Sequence, residues 1–154
     1  MEAKQNQQKH GIVIATPFRH SVPVQMRFND IDVLGHLNNS VYFAFFDLGK
    51  ADYFRAVRGE DVDWMKADVV IVNVNCDFMA QTLFHENIAV RTQTIKIGEK
   101  SIMLAQQLYN VDTDEVKAQS TCVMVSFDPT TGCSQPLAEH WRKSIIVFEG
   151  RSFD

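Results

Sequence analysis

Five side chains between residues 30 and 39 could do chemistry: Asp30, Asp32, His36, Asn38 and Asn39, in the run DIDVLGHLNN. They lead directly into a stretch from Ser40 to about Val57 that is dense in aromatic and aliphatic residues and reads as a helix. Asn38, Asn39 and Ser40 are all of the type that caps a helix N-terminus. Such an end presents N–H groups with no intrahelical acceptor and a partial positive charge. It can bind an oxyanion or polarise a carbonyl. A carboxylate beside it can serve as general base or as nucleophile. Together these parts describe a carbonyl-hydrolysing site that uses neither a metal nor a serine.

Each residue also has a plainer reading. Asp30 and Asp32 are ordinary turn formers, His36 can be a hydrogen-bonded structural histidine, and the two asparagines can be caps and nothing more. Capping and oxyanion binding can share one helix end. Asp30 reads as the structural acid, bracing the loop by accepting backbone N–H groups. Gly35 fits a positive φ or a close backbone approach. Other chemistries find no motif. His10, His20, His36, His85 and His140 are dispersed, with no HxxxH or CxxC spacing for a metal. A serine-hydrolase GxSxG elbow is missing. No metal and no cofactor are therefore expected. Cys76, Cys122 and Cys133 are odd in number; the first two lie in apolar stretches and read as small buried hydrophobes. That usage suits a reducing, cytoplasmic compartment.

The elements that must position this loop follow from patterning. Ser21 to Phe28 alternates as a short strand, with Pro23 suited to its start or edge. The helix over 40–57 is apolar nearly all round, which predicts a core element covered on most sides. Gly49 in its middle predicts close approach of another backbone. Val69 to Met79, Asn87 to Ile97, Ser101 to Val111 and Val116 to Phe127 read as four consecutive strands with hairpin connections. A phase slip at Thr92 to Ile95 predicts a bulge. Leu137 to Phe148 patterns as a terminal helix. The order is α+β with a mostly antiparallel sheet that curls around one central helix. Residues 1–20 read as a flexible N-terminal tail and 21–154 as a single domain.

The chain has 154 residues, 45% of them hydrophobic, enough to bury a core, and a net charge of -4. A mildly acidic chain argues against nucleic acid or an anionic membrane as partner. No apolar run approaches the roughly 20 residues that span a bilayer, and the polar start MEAKQNQQKHG has no hydrophobic signal region.

The run Arg27-Phe28-Asn29-Asp30-Ile31-Asp32, then Gly35-His36-Leu37-Asn38-Asn39, then Tyr42-Phe43 resembles the signature of the 4-hydroxybenzoyl-CoA thioesterase-like branch of the hotdog superfamily. The GHLNN element is also similar to long-chain acyl-CoA thioesterases and plant acyl-ACP thioesterases. The resemblance covers about residues 21 to 148. It implies a hotdog fold and hydrolysis of acyl-CoA to a free acid and coenzyme A. It implies that Asp32 attacks the thioester carbonyl or activates a water, and that the backbone N–H near Asn39 holds the thioester oxygen. His36 and Asn38 would orient the reacting groups, while Gly35, Tyr42 and Asp47 would lie on the substrate side. Relatives place a glutamate where this chain has Asp47 and often an arginine where it has Lys50 or Ala51. They pair sheets edge to edge with sites at the interface, which implies a homodimer or a tetramer of dimers. Arg58, Arg91, Lys96 and Lys100 are candidates for coenzyme A phosphates. The alternatives are an acyl-ACP thioesterase, a hotdog hydratase or dehydratase, and a non-catalytic acyl-CoA-binding module.

Overall fold

The computed structural model describes residues 14–15, 17–59 and 68–154. The chain runs β1 (Ser21–Val24), a 3-10 turn (Phe28–Asp30), α1 (Asn39–Arg58), β2 (Val69–Phe78), β3 (Ile88–Ile97), β4 (Ser101–Asn110), β5 (Val116–Ser126) and α2 (Glu139–Glu149). The five strands form one antiparallel sheet in the order β1-β3-β4-β5-β2. This is the α+β hotdog architecture: an antiparallel sheet with a long helix packed on β1, β3 and β4.

Period-two alternation makes β3, β4 and β5, and tight turns between them make two hairpins. The bulge is present where the phase slips, with the β3–β4 register shifting between Thr94 and Lys96. One connection departs from expectation. β2 pairs with β5, not with β3, so the four strands are not a continuous series of hairpins. The segment 79–87 instead carries the chain from one side of the sheet to the other. β1 is shorter than expected because backbone pairing with β3 ends at Val24.

Helix α1 also departs from expectation. It buries one stripe, Tyr42, Phe45, Phe46, Gly49, Lys50, Tyr53, Phe54 and Val57, at the spacing of a single helical face. Phe43 and Leu48 on the other side are 41% and 51% exposed, because the sheet of one chain covers only one face. Gly49 does sit against the sheet, but its neighbours are side chains and not backbone. A Cβ there would lie 2.5 Å from Val90 Cγ1 and 3.1 Å from Gln106 Nε2. Alanine would gain about 1 kcal/mol of helix propensity. Val90 is fully buried and stiff at χ1, so overpacking costs about 1–3 kcal/mol. Gly49→Ala is therefore expected to lower the denaturant midpoint; an unchanged or raised midpoint would contradict this packing.

The C-terminal helix is tied to the core by a buried polar contact. The Tyr53 hydroxyl donates to Glu149 Oε1 at 2.6 Å, and the Thr94 N–H donates to the same oxygen at 2.9 Å. Much of the tail expected over 1–20 lies outside the described residues. Within the described part, Ala15 exchanges two hydrogen bonds with Gln93, and buried His20 meets Asp52 at 2.9 Å. The packed part of the chain thus begins before Ser21.

Candidate active site

The loop between the 3-10 turn and α1 is a miniature hairpin. Ile31 bridges Leu37, the Asp32 N–H donates to the His36 carbonyl at 2.8 Å, and the Gly35 N–H donates to the Asp32 carbonyl at 3.0 Å. A tight turn closed by a residue in the left-handed region requires glycine or its like there. Gly35 fills that place with φ 80°. Leu37, 2% exposed, plugs the loop into the core formed by Met26, Tyr42, Phe45 and Phe46.

Within this frame Asp32 Oδ1 accepts from the N–H of Leu34 at 2.9 Å and of His36 at 3.2 Å. These are the bonds of a turn-forming aspartate. They fix the carboxylate while the residue stays partly accessible, and no described residue donates to Oδ2. Asp32 and His36 thus pair across one rung of the hairpin, six and two residues before the N-cap Asn38. Asn38 caps α1, its Oδ1 accepting from the Ser40 N–H at 3.1 Å and the Ser40 hydroxyl at 3.0 Å. Among the described residues no acceptor meets the N–H of Asn39, the first residue of the helix. Asn38 and Asn39 are both exposed in the single chain.

Asp30 is the structural acid expected of it. It is 2% exposed, accepts the Arg27 N–H at 2.8 Å and pairs with the Arg27 guanidinium at 3.1 Å. Its carbonyl accepts the Asn38 N–H at 2.8 Å, which sets where the helix begins. The Arg27 side-chain hydrogen bond holds the Asp30 carboxyl below its ordinary range, against the opposing effect of burial. A carboxyl depressed in the folded state adds stability above its unfolded pKa, and that stability is lost as pH falls through the folded value. Melting temperature should therefore drop on acidification below about pH 4, with a shallower drop in Asp30→Asn. An identical acid limb in both proteins would contradict this role.

Asp47 stands apart from the loop, whereas Tyr42 packs in the same core cluster as Leu37. Tyr42 is 3% exposed, its hydroxyl meets Thr82 Oγ1 at 2.8 Å, and its ring lies edge-on to Phe78. Burial pushes the Tyr42 phenol up, outweighing the Thr82 hydrogen bond. Asp47 lies eight residues along α1 from Asn39, about 12 Å at 1.5 Å per residue. It is largely exposed and accepts from Lys50 Nζ at 2.9 Å. Lys50 itself is buried, which the sequence pattern does not signal. The Cys76 thiol is pushed up to about 11, chiefly by burial, so it is protonated near neutral pH and a poor nucleophile. Among the described residues no cluster of three or more His, Cys, Asp or Glu could hold a metal ion. No described helix is long and apolar enough to cross a membrane.

Sequence reasoning missed the segment that supports the loop from below. The Leu37 N–H donates to the Thr82 carbonyl at 2.8 Å, and His36 bridges Leu83. No local pattern marks this segment, because its contacts lie some 45 residues away in the chain.

An antiparallel sheet with a long helix on it, and an acidic loop feeding that helix's N-terminus, define a hotdog-fold protein. The chain belongs to the thioesterase-like superfamily, whose family model matches residues 26–145. Among solved structures it is similar to a thioesterase from Thermus thermophilus complexed with coenzyme A and Zn. That match has a TM-score of 0.79 at 27% identity and covers 90% of this chain and 99% of the other. The long-chain acyl-CoA thioesterase FadM of Escherichia coli is 22% identical over 125 residues, covering 79% of this chain and 93% of that protein. The uncharacterized protein YsmA of Bacillus subtilis is 28% identical over 91 residues, a match that spans 58% of this chain and 60% of YsmA.

Proposed function

We propose that the protein hydrolyses acyl-CoA thioesters to a free carboxylic acid and coenzyme A. The observation that carries this reading is the fixed Asp32 carboxylate in the loop that leads into a helix whose first N–H has no acceptor among the described residues. An oxyanion at that N–H would be stabilised by the helix terminus as charge develops on the thioester oxygen. Asp32 Oδ2 would act as general base on a water or as nucleophile on the carbonyl carbon. In the first case the proton leaves the water for Asp32 as the water oxygen bonds to the carbonyl carbon, the C–S bond then breaks, and the departing thiolate takes up the proton. In the second, the Asp32 oxygen bonds to the carbonyl carbon, the C–S bond breaks with loss of the thiolate, and water cleaves the resulting acyl-aspartyl anhydride to the free acid and Asp32. Relatives that bind coenzyme A or act on long-chain acyl-CoA support the carrier assignment.

Gly35, Tyr42 and Asp47 belong to the substrate side in this proposal, with Tyr42 and Phe78 shaping the wall behind the helix start. A homodimer, alone or doubled into a tetramer, completes the site. The support is the long edge strand β2, which leaves Val70, Ile71, Val72, Val74 and Phe78 between 37% and 58% exposed. A cytoplasmic location fits the substrate.

The test is release of free thiol from a panel of acyl-CoA substrates of graded length, run beside the same acyl groups on acyl carrier protein. Faster release from the coenzyme A esters supports the proposal. Release from the carrier-protein esters alone favours an acyl-ACP thioesterase. Altered acyl chains without free thiol would point to a hydratase or dehydratase.

A further inference from the structure

The segment 79–87 between β2 and β3 forms the underside of the Asp32 loop, yet it has almost no regular backbone pairing of its own. Something must hold Thr82 and Leu83 at a fixed height beneath Leu37 and His36. Lys117 of β5 does so. Its side chain is 5% exposed and its Nζ donates to the Gln81 carbonyl at 2.9 Å, to Glu86 Oε1 at 2.7 Å, and to Glu115. The Lys117 carbonyl accepts the N–H groups of Met79 at 2.8 Å and Ala80 at 3.1 Å. Glu86 closes the other end: Oε2 accepts the Leu83 N–H at 2.7 Å, and Oε1 also accepts from Asn110 Nδ2 at 3.0 Å.

Both groups are charged at neutral pH. Burial would raise the Glu86 carboxyl, but hydrogen bonds from Lys117, Leu83 and Asn110 outweigh it and hold it low. Burial would lower Lys117, and Glu115 and Glu86 outweigh that in turn. A buried ion pair that only held strands together could often be replaced by apolar side chains at little loss. This pair instead satisfies a carbonyl and an N–H of an irregular segment, which apolar side chains cannot do.

We propose that Lys117 and Glu86 are positioning residues for the thioesterase site, clasping segment 79–86 so that Thr82 and Leu83 hold His36, and through it Asp32, at the start of α1. The inference rests on the reading of Asp32 as the reacting carboxylate. A misplacement of the order of 1 Å can cost about 10²-fold in rate. Loosening the clasp should therefore act on kcat and leave KM nearly alone.

The experiment is a double-mutant cycle on the full chain with an acyl-CoA substrate, assayed well below the melting temperature of every variant. Lys117→Met is expected to lower kcat by about 10–100-fold, with KM within about threefold. In an Asp32→Asn background the same substitution is expected to change kcat by less than about twofold, because groups that act as one unit are not additive. Equal fold-losses in the two backgrounds, or an undiminished kcat in folded Lys117→Met, would overturn the positioning role. If Lys117→Met does not fold, Glu86→Gln enters the same cycle with the same expectations, since it removes the charge that anchors Lys117 Nζ while keeping the size of the side chain. Should Asp32→Asn alone match the wild type, it is the assignment of Asp32 that fails. Undiminished kcat in the clasp variant beside a slow Asp32→Asn overturns the clasp alone.

Discussion

Asp32→Asn is expected to slow thioester hydrolysis by about 10²–10⁴-fold while leaving the melting temperature close to that of the wild type. Two features of the loop separate these effects. Asp32 Oδ1 accepts the N–H groups of Leu34 and His36, and an asparagine carbonyl oxygen can accept both in the same place. The turn therefore persists, held also by Gly35 at φ 80° and by the Asp32 to His36 backbone bond. What the amide lacks is a second anionic oxygen able to take a proton from water or attack a carbonyl carbon. Asp32→Ala removes the turn bonds as well and should lower both rate and melting temperature. Free-thiol release and thermal denaturation on the two variants check the pair of outcomes. An Asp32→Asn variant that hydrolyses at the wild-type rate would remove Asp32 from the chemistry.

The second large effect concerns the β2 edge. Among the described residues nothing pairs with the outer edge of β2, a ten-residue strand with five exposed large apolar side chains; such an edge is a pairing surface, which proteins otherwise blunt with charge or proline. Val72 and Val74 carry no such protection, being 58% and 37% exposed. Around the site, Val33 and Leu34 at the loop tip and Phe43 and Leu48 on α1 are also exposed in the single chain. The double variant Val72→Lys/Val74→Lys is expected to shift the protein to the mass of one chain in light scattering. It should also lower kcat/KM by on the order of 10²-fold, since an open site loses both the wall that orients the acyl group and the exclusion of water. A wild type that is monomeric and fully active would contradict this account of the edge.

The strands and the site loop were legible in the sequence for different reasons. β3, β4 and β5 announce themselves by alternation, and the bulge near Lys96 by its slip. The loop announces itself because Asp30, Asp32, Gly35, His36, Asn38 and Asn39 are chain neighbours whose roles in turn and cap are local chemistry. Pairing of β2 with β5 is not local: nothing in 69–78 states which strand it will meet, and adjacency in sequence misleads when a crossover intervenes. The same limit hides Lys117 and Glu86, whose pairing depends on β5 and segment 79–87 coming together. The aromatic helix predicted burial on most sides, and one chain supplies a cover for only one of them. Nor does the sequence show that Tyr42, placed on the substrate side by the resemblance, gives its hydroxyl to Thr82 some 40 residues on.

A crystal structure of Asp32→Asn with an intact acyl-CoA would show where the thioester sits relative to the start of α1. The thioester oxygen is expected about 3 Å from the Asn39 N–H, with the side chain of residue 32 facing the carbonyl carbon or a water beside it. An acyl-CoA whose carbonyl lies away from the start of α1, with residue 32 turned to bulk solvent, would contradict this placement.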